Sequence, residues 1–421
     1  MRGLHNVADP AAVLDAFARD GWKSEPFERM LDLARADPAD AFRLLHLAIQ
    51  RGGNSATFMD AAVSFVPEDL LPDLGNQAAD AFLRESDNEV AESVIAYLSL
   101  QAVACLQPFL AKFYFDTTPN ASTYYADWPW RGASDADIAR MFASLHSATS
   151  PKERLRPFRC ILESRSPKYV SEALAAVGSE RLPYNESIYL AEVGFDGSQR
   201  LLFNKTVFHI RLPVDVLLYR SRPVWLQPSN HPTWSLPANP GQHRFGGLAG
   251  SICAVCDGPL HNLITFDPTP DGIASACPRR LQIATCLSCL GWSKAPLFFQ
   301  HDDAGTPAPL DSGHRDPEFP TCPLKEAWVE LSPTPPRWEW QDWALSNSRE
   351  NLNRIGGHPT WIQSAEYPTC PSCKRLMPIL LQLDSDLPTQ DDGEWLWGTG
   401  GICYVFWCGS CSVSASLWQC T

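Results

Sequence analysis

Eight of the fourteen cysteines form four Cys-x-x-Cys pairs: Cys253/Cys256, Cys286/Cys289, Cys370/Cys373 and Cys408/Cys411. A Cys-x-x-Cys turn sets two thiolates on one side of a tight knuckle. A second knuckle, brought across by a hairpin, completes a tetrahedron around Zn²⁺. Fourteen cysteines in a long chain without an apolar leader argue for metal rather than disulfides. The expectation is two structural Zn²⁺ per chain, each closed by four sulfurs with no position left for water or substrate. Such sites contribute folding free energy, roughly 10–16 kcal/mol apparent in small zinc peptides, and rarely catalyse. The spacing leaves open whether knuckles combine within a half or between halves, for instance Cys253/Cys256 with Cys408/Cys411.

These pairs belong to a longer repeated phrase. His231-Pro232-Thr233-Trp234 precedes Cys253/Cys256, an apolar run ending in Asp267, and Cys286/Cys289. His358-Pro359-Thr360-Trp361 precedes Cys370/Cys373, an apolar run ending in Asp384, and Cys408/Cys411. Each aspartate lies 11 residues past the second cysteine of its set, and the gaps to the next pair are 30 and 35 residues. His231 and His358 have neither a neighbouring nucleophile nor an orienting carboxylate, so core packing is expected of them, with each tryptophan lying across a sheet. Asp267 and Asp384 are expected to cap turns. The cluster His301-Asp302-Asp303 with His314-Arg315-Asp316 reads as a solvated loop. Cys105, Cys160, Cys277, Cys322, Cys403 and Cys420 read as small buried apolar side chains.

The elements that must position these residues change character along the chain. Residues 9 to about 180 carry helical periodicity, with Asp9 as an N-cap ahead of Pro10 and helices over 26–35, 39–51, 88–113, 135–147, 152–163 and 168–177. They resemble stacked HEAT-like hairpins or an irregular bundle. From 188 the pattern predicts strands at 188–195, 200–204 and 206–212, then Leu260–Phe266 and Leu281–Thr285 in one copy, Met377–Leu383 and Ile402–Trp407 in the other. The expected fold is α+β. A helical domain (1–182) precedes a first β-rich half-domain (183–310), a Pro-rich connection (311–345) and a second half-domain (346–421). Twelve of the 15 tryptophans fall after residue 220, which places the aromatic surface in the β part.

Formal charge is −14, and four thiolates around each Zn²⁺ would make it more negative. Nucleic-acid binding draws on basic surface that displaces phosphate counterions, so this balance argues against it and for a basic protein partner. No apolar stretch is long enough to span a membrane, and residues 1–20 lack a secretory pattern, so the cytoplasm is the expected address. Phosphate-loop and nucleophile-elbow motifs are absent from the sequence, and a non-enzymatic protein is expected; the alternative is an enzyme with its pocket between the two half-domains.

Gly356-Gly357-His358-Pro359-Thr360-Trp361, Cys370-Pro371-Ser372-Cys373, Leu380-Leu381-Gln382-Leu383-Asp384 and Gly400-Gly401-Ile402-Cys403-Tyr404-Val405-Phe406 resemble the bacterial YwqG-like family. The same order is more distantly similar to the programmed cell death protein 2 family. The resemblance covers about 350–421 and, through the repeat, about 225–300. In the first copy His-Pro-Thr-Trp precedes Gly246-Gly247 instead of following the glycines. The first resemblance implies an immunity protein that neutralises a toxin, and the second a chaperone-like binder of a newly made basic client. Many YwqG-like proteins lack the cysteines, so zinc rests on the spacing alone.

Overall fold

The computed structural model describes residues 9–20, 24–52, 59–85, 87–115, 126–178, 182, 185–213, 231–234, 241–291, 295–313, 322–346 and 350–421. The fold is α+β and divides into two compact units. One comprises Met1–Val193 with Arg222–Pro232 and Pro336–Trp338; the other comprises Gly194–Ser221, Thr233–Pro335 and Glu339–Thr421.

In the first unit, α1 (Pro10–Asp20), α2 (Ser24–Ala36), α3 (Pro38–Arg51), α4 (Leu71–Arg84), α5 (Glu89–Gln101), α6 (Leu110–Phe115), α7 (Asp135–Ser147), α8 (Pro151–Glu163), α9 (Pro167–Val177) and α10 (Glu186–Glu192) pack largely on their sequence neighbours. Short polar residues start the helices. Asp9 Oδ1 accepts from Ala11 N, Asp37 caps α3 ahead of Pro38, and Ser134 and Asp137 form a reciprocal capping box on α7. Val13, Leu14 and Phe17 of α1 and Leu44, Leu45 and Ala48 of α3 are buried at helical spacing. Pro336–Trp338 belongs to this unit because Arg337 donates to the carbonyls of Val63 (2.7 Å) and Val66 (2.8 Å) and to Gln101 Oε1 (3.1 Å).

Two expectations change here, and one helix stands where none was expected. The strand expected over 188–195 is α10: Asn185 caps it by accepting from Ser187 N, and a cap fixes helix where Ile188 and Tyr189 alone suggest strand. The single helix over 88–113 breaks at Ala102 into a 3₁₀ turn, Val103–Phe109, containing Pro108, before α6. Helix α4 carries Pro72 and Gly75, which obscure its periodicity, yet Leu71, Leu74, Ala78 and Ala81 line its buried face.

The second unit is built on strands β1 (Phe208–Arg211), β2 (His243–Phe245), β3 (Leu248–Ile252), β4 (Pro259–Phe266), β5 (Leu281–Thr285), β6 (Leu297–His301), β7 (Pro307–Pro309), β8 (Ala327–Pro333), β9 (Arg354–Ile355), β10 (Ile379–Asp384), β11 (Leu387–Pro388), β12 (Glu394–Trp395), β13 (Ile402–Cys408) and β14 (Val413–Gln419). Twelve form one antiparallel sheet in the order β3-β4-β2-β8-β1-β9-β10-β13-β14-β6-β7, with β5 on the free side of β4; β11 and β12 form a separate ribbon. Gln282 N of β5 donates to Gly305 O, in the turn between β6 and β7, at 3.0 Å. The sheet thereby curls nearly into a barrel. Its core includes Phe245, Ile264, Ile283, Leu381, Val405 and Trp407.

The two halves share one strand register. Ile264 pairs with Phe245 and Ile283 on either side, as Leu381 pairs with Ile355 and Val405. Counting three residues on from Ile283 and from Val405 reaches Cys286 and Cys408. The segment 311–345, read above as a connection, contains β8, which pairs with β1 at the sheet's centre. The leading strands are exchanged: β1 pairs with β9 of the second half, and β8 with β2 of the first.

The two His-Pro-Thr-Trp segments are not equivalent. His231 lies in the helical unit, edge-on to Phe65 and Trp338, whereas His358 packs against Phe203 and Trp340 of the β unit. The true repeat is Arg244-Phe245-Gly246-Gly247 against Arg354-Ile355-Gly356-Gly357. All four glycines have positive φ (70°, 77°, 66° and 72°). A Cβ on Gly246 would lie 2.3 Å from Lys325 O, and one on Gly356 2.1 Å from Thr206 O. Lys325 and Thr206 each stand two residues before an exchanged strand, so the glycines admit the crossing chains. Gly356→Ala should therefore destabilise the protein by about 3 kcal/mol or more, from left-handed strain plus a backbone clash, measured as a lowered urea midpoint. A loss below about 0.5 kcal/mol would contradict the close approach.

Candidate metal centres

Each β hairpin carries one knuckle at the start and one at the end. Before β4, Cys253 N donates to Gly258 O (2.8 Å) and Asp257 N to Cys253 O (3.0 Å); before β10, Cys370 N donates to Arg375 O (2.9 Å) and Lys374 N to Cys370 O (3.0 Å). The residue after the second cysteine is left-handed in three knuckles: Asp257 (φ 55°), Lys374 (φ 60°) and Ser412 (φ 51°). The fourth closes as a short helix, α11 (Leu287–Leu290), whose N-cap Cys286 accepts from Cys289 N.

The hairpins bring the cysteines together within halves. Cys253, Cys256, Cys286 and Cys289 form one cluster and Cys370, Cys373, Cys408 and Cys411 the other, with all sulfurs of a cluster within 4.8 Å. Cys253–Cys289 is 3.8 Å, Cys256–Cys286 3.5 Å and Cys373–Cys408 3.6 Å between sulfurs. Four thiolates about 2.3 Å from a tetrahedral ion stand about 3.8 Å apart. The clusters therefore already have the spacing that a metal ion requires, and either could hold one.

Protonation points the same way. Hydrogen bonding, chiefly from Cys286, lowers Cys253 to about 5, while the backbone N–H of Arg375 leads in lowering Cys373 to about 6. Burial pushes Cys289 and Cys411 up to about 12 and raises Cys408 too; Cys286 is raised chiefly by its bond to Cys253. Sulfurs this close share protons rather than ionise together, and only a cation among them allows four thiolates at neutral pH.

Each cluster is also braced by the opposite half. Trp418 Nε1 of β14 donates to Leu290 O, beside Cys289, at 2.6 Å; Gln300 Nε2 of β6 donates to Cys411 O at 2.9 Å. Asp384 Oδ1 accepts from Ser385 N at 2.8 Å and so caps its turn, while Asp267 stands 4.0 Å from Arg280. Trp361 lies across β13 against Tyr404 and Phe406. His301 is not in a solvated loop: it is a buried residue of β6 bonded to Ser414 Oγ at 2.8 Å, and His314–Asp316 lie outside the described residues. Of the six other cysteines, Cys160 and Cys403 are buried and the remaining four half-buried.

Sequence reasoning missed a buried polar network beside the second cluster's hairpin. Arg354, fully buried, donates to Glu339 O (3.1 Å), Thr360 Oγ1 (2.8 Å) and His358 O. Gln341 bridges toward Glu350 (2.8 Å) and His209 (3.3 Å), Gln382 accepts from Thr360 N (2.9 Å), and Tyr404 donates to Thr360 O (2.6 Å). The repeated Arg-x-Gly-Gly was the available signal. The equivalent pair in the first half is Trp328 opposite Arg244, where the second half has His209 opposite Arg354. His209 is buried, whereas Trp328 is 51% exposed.

Two shallow clefts lie on the helical unit, one of about 560 Å³ at Asp80, Leu83, Arg84 and Lys112, the other of about 480 Å³ around Tyr114, Ser144, Lys152 and Arg156. Neither is lined by a clustered cysteine. Among the described residues, no helix is long and apolar enough to cross a membrane.

No protein-family model matches the chain, and no solved structure matches it. It is similar to the uncharacterized protein YpfL of Salmonella typhimurium strain LT2, 27% identical over 221 residues. That match covers 48% of this chain and 46% of the relative, so it spans about half the relative's length.

Burial lowers both His209 and His301 to about 4. Unfolded histidines titrate near ~6.5, so between these values the unfolded chain binds more protons and stability falls as pH falls from about 6.5 toward about 4. His301→Asn should lower stability at about pH 7.5 and flatten the decline in urea midpoint toward about pH 5. An unchanged slope would show that His301 takes up a proton freely when folded.

Proposed function

We propose that this chain is a non-enzymatic, zinc-stabilised protein-binding protein that neutralises a basic toxin domain in the cytoplasm. Zinc suits the sites because four cysteine sulfurs at tetrahedral spacing favour it among biological dications, and they close its coordination. A closed site supports a structural role.

The observation that carries the reading is the open sheet face of the first half. Trp328 is 51% exposed, with Leu248 (43%) and Ile252 (64%) on neighbouring stretches of the sheet and Glu326 beside it. The equivalent position in the second half is covered by the chain's own residues. Exposed tryptophan with aliphatic neighbours is the composition of interface anchors. Residues 1–193 add 27 acidic against 18 basic side chains, which favours encounter with a cation-rich partner. Immunity function follows the resemblance to YwqG-like proteins. A second reading, escort of an endogenous basic client, is favoured by Gly356–Trp361 ahead of the Cys370 knuckle, the order similar to the programmed cell death protein 2 family.

Affinity capture from the native host, followed by reconstitution with the purified partner, separates these readings. The expected partner is a basic protein that is toxic when produced alone and harmless when this chain is co-produced. Trp328→Ala should weaken the complex by about 2 kcal/mol, roughly thirtyfold in Kd. A non-toxic basic client would support the chaperone reading. Turnover of a small molecule without any stoichiometric partner would overturn both.

A further inference from the structure

The two cysteine clusters share a backbone but not surroundings. All four sulfurs of the first sit on buried residues, 1–7% exposed. In the second, Cys370 and Cys408 are buried but Cys373 and Cys411 are half-exposed. The flanking chain differs as well. Asp257 and Gly258 follow the first knuckle of the first half, whereas exposed Lys374 and Arg375 take the same backbone positions in the second. Arg375 reaches across to Ser410 Oγ at 2.6 Å, so one guanidinium bridges both knuckles of that cluster.

From this asymmetry we infer that the second cluster is a redox-labile metal site, which hydrogen peroxide oxidises and empties while the first cluster keeps its ion. The inference rests on the zinc reading above. The Cys373 thiolate, half-exposed and followed by the exposed cations Lys374 and Arg375, is the nucleophile. It attacks the peroxide O–O bond, keeps one oxygen as a sulfenic acid and releases the other as hydroxide, whose charge the adjacent Lys374 and Arg375 favour. The Cys408 thiolate, 3.6 Å away, then attacks that sulfur and displaces the second hydroxide. Two thiolates lose two electrons to form one S–S bond, the peroxide is reduced to two waters, and two protons are consumed. The ion is left with two sulfur ligands and dissociates. A disulfide there ties the start of β10 to the end of β13, while a dithiol reductant and Zn²⁺ restore the site.

The test uses full-length protein carrying two ions, treated with hydrogen peroxide. Metal release is followed with a chromophoric chelator, and thiols are mapped by differential alkylation and mass spectrometry. The expected result is fast release of about one ion per chain, oxidation at Cys373 and Cys408, protection of Cys253, Cys256, Cys286 and Cys289, and reversal by dithiothreitol with zinc. Arg375→Ala should still bind two ions and release the labile one severalfold more slowly. Release of both ions at one rate, earlier loss from the first cluster, or retention of both under peroxide would overturn the inference and leave the zinc reading standing. Protein isolated under reducing conditions without any ion would instead sink the zinc reading and this inference with it.

Discussion

Four sulfur atoms held within 4.8 Å of one another repel as thiolates unless a positive charge sits among them. That constraint organises the β unit. The knuckles stand at the two ends of hairpins β4–β5 and β10–β13, so an ion in either cluster clamps the start of one strand to the end of its hairpin partner. The strands between the clamps are nearly all buried: every residue of β5 and β13 is, and so is β4 after its first residue. The metal would thus replace the long-range contacts that a sheet of this size must otherwise find for itself, where loop-closure entropy opposes pairing of distant strands.

Around these clamps the halves are interlocked rather than adjacent. Strand β1 completes the second half and β8 the first, and paired glycines admit each crossing chain. Trp418 and Gln300 carry the bracing to the knuckles. Identical architecture then supports different chemistry. One face is filled by Arg354, His209 and Gln341 and sealed, whereas its counterpart at Arg244 and Trp328 remains open. The same divergence separates a buried cluster from a half-exposed one flanked by cations. After duplication, one copy of each feature can serve stability while the other is free to meet solvent or a partner.

The cysteine clusters were legible in the sequence because Cys-x-x-Cys spacing encodes a local turn, and local turns survive any tertiary context. Their pairing within halves was not, since it depends on strand register. Strands β4, β5, β10 and β13 were legible from apolar runs, and α1, α3, α7 and α8 from caps and periodicity. The repeat was misaligned on His-Pro-Thr-Trp because identical side chains outweighed backbone conformation. Arg-x-Gly-Gly, with two left-handed glycines, is the physically conserved element, and it differs at one residue. Strand β8 was hidden in a proline-rich stretch, where Pro333 and Pro335 suggested a linker, yet its ladder partners are residues about 80 and about 120 positions away. The repeated Arg-x-Gly-Gly marked Arg354 in the sequence, but its burial and its partners Glu339, His358 and Thr360 were not legible, because they are set by how the chain packs.

Native mass spectrometry of the full chain, purified under reducing conditions without added metal, tests the central claim most directly. The account predicts a mass corresponding to two zinc ions per chain. A chain carrying no ion, with its eight clustered cysteines as free thiols or as disulfides, would contradict it.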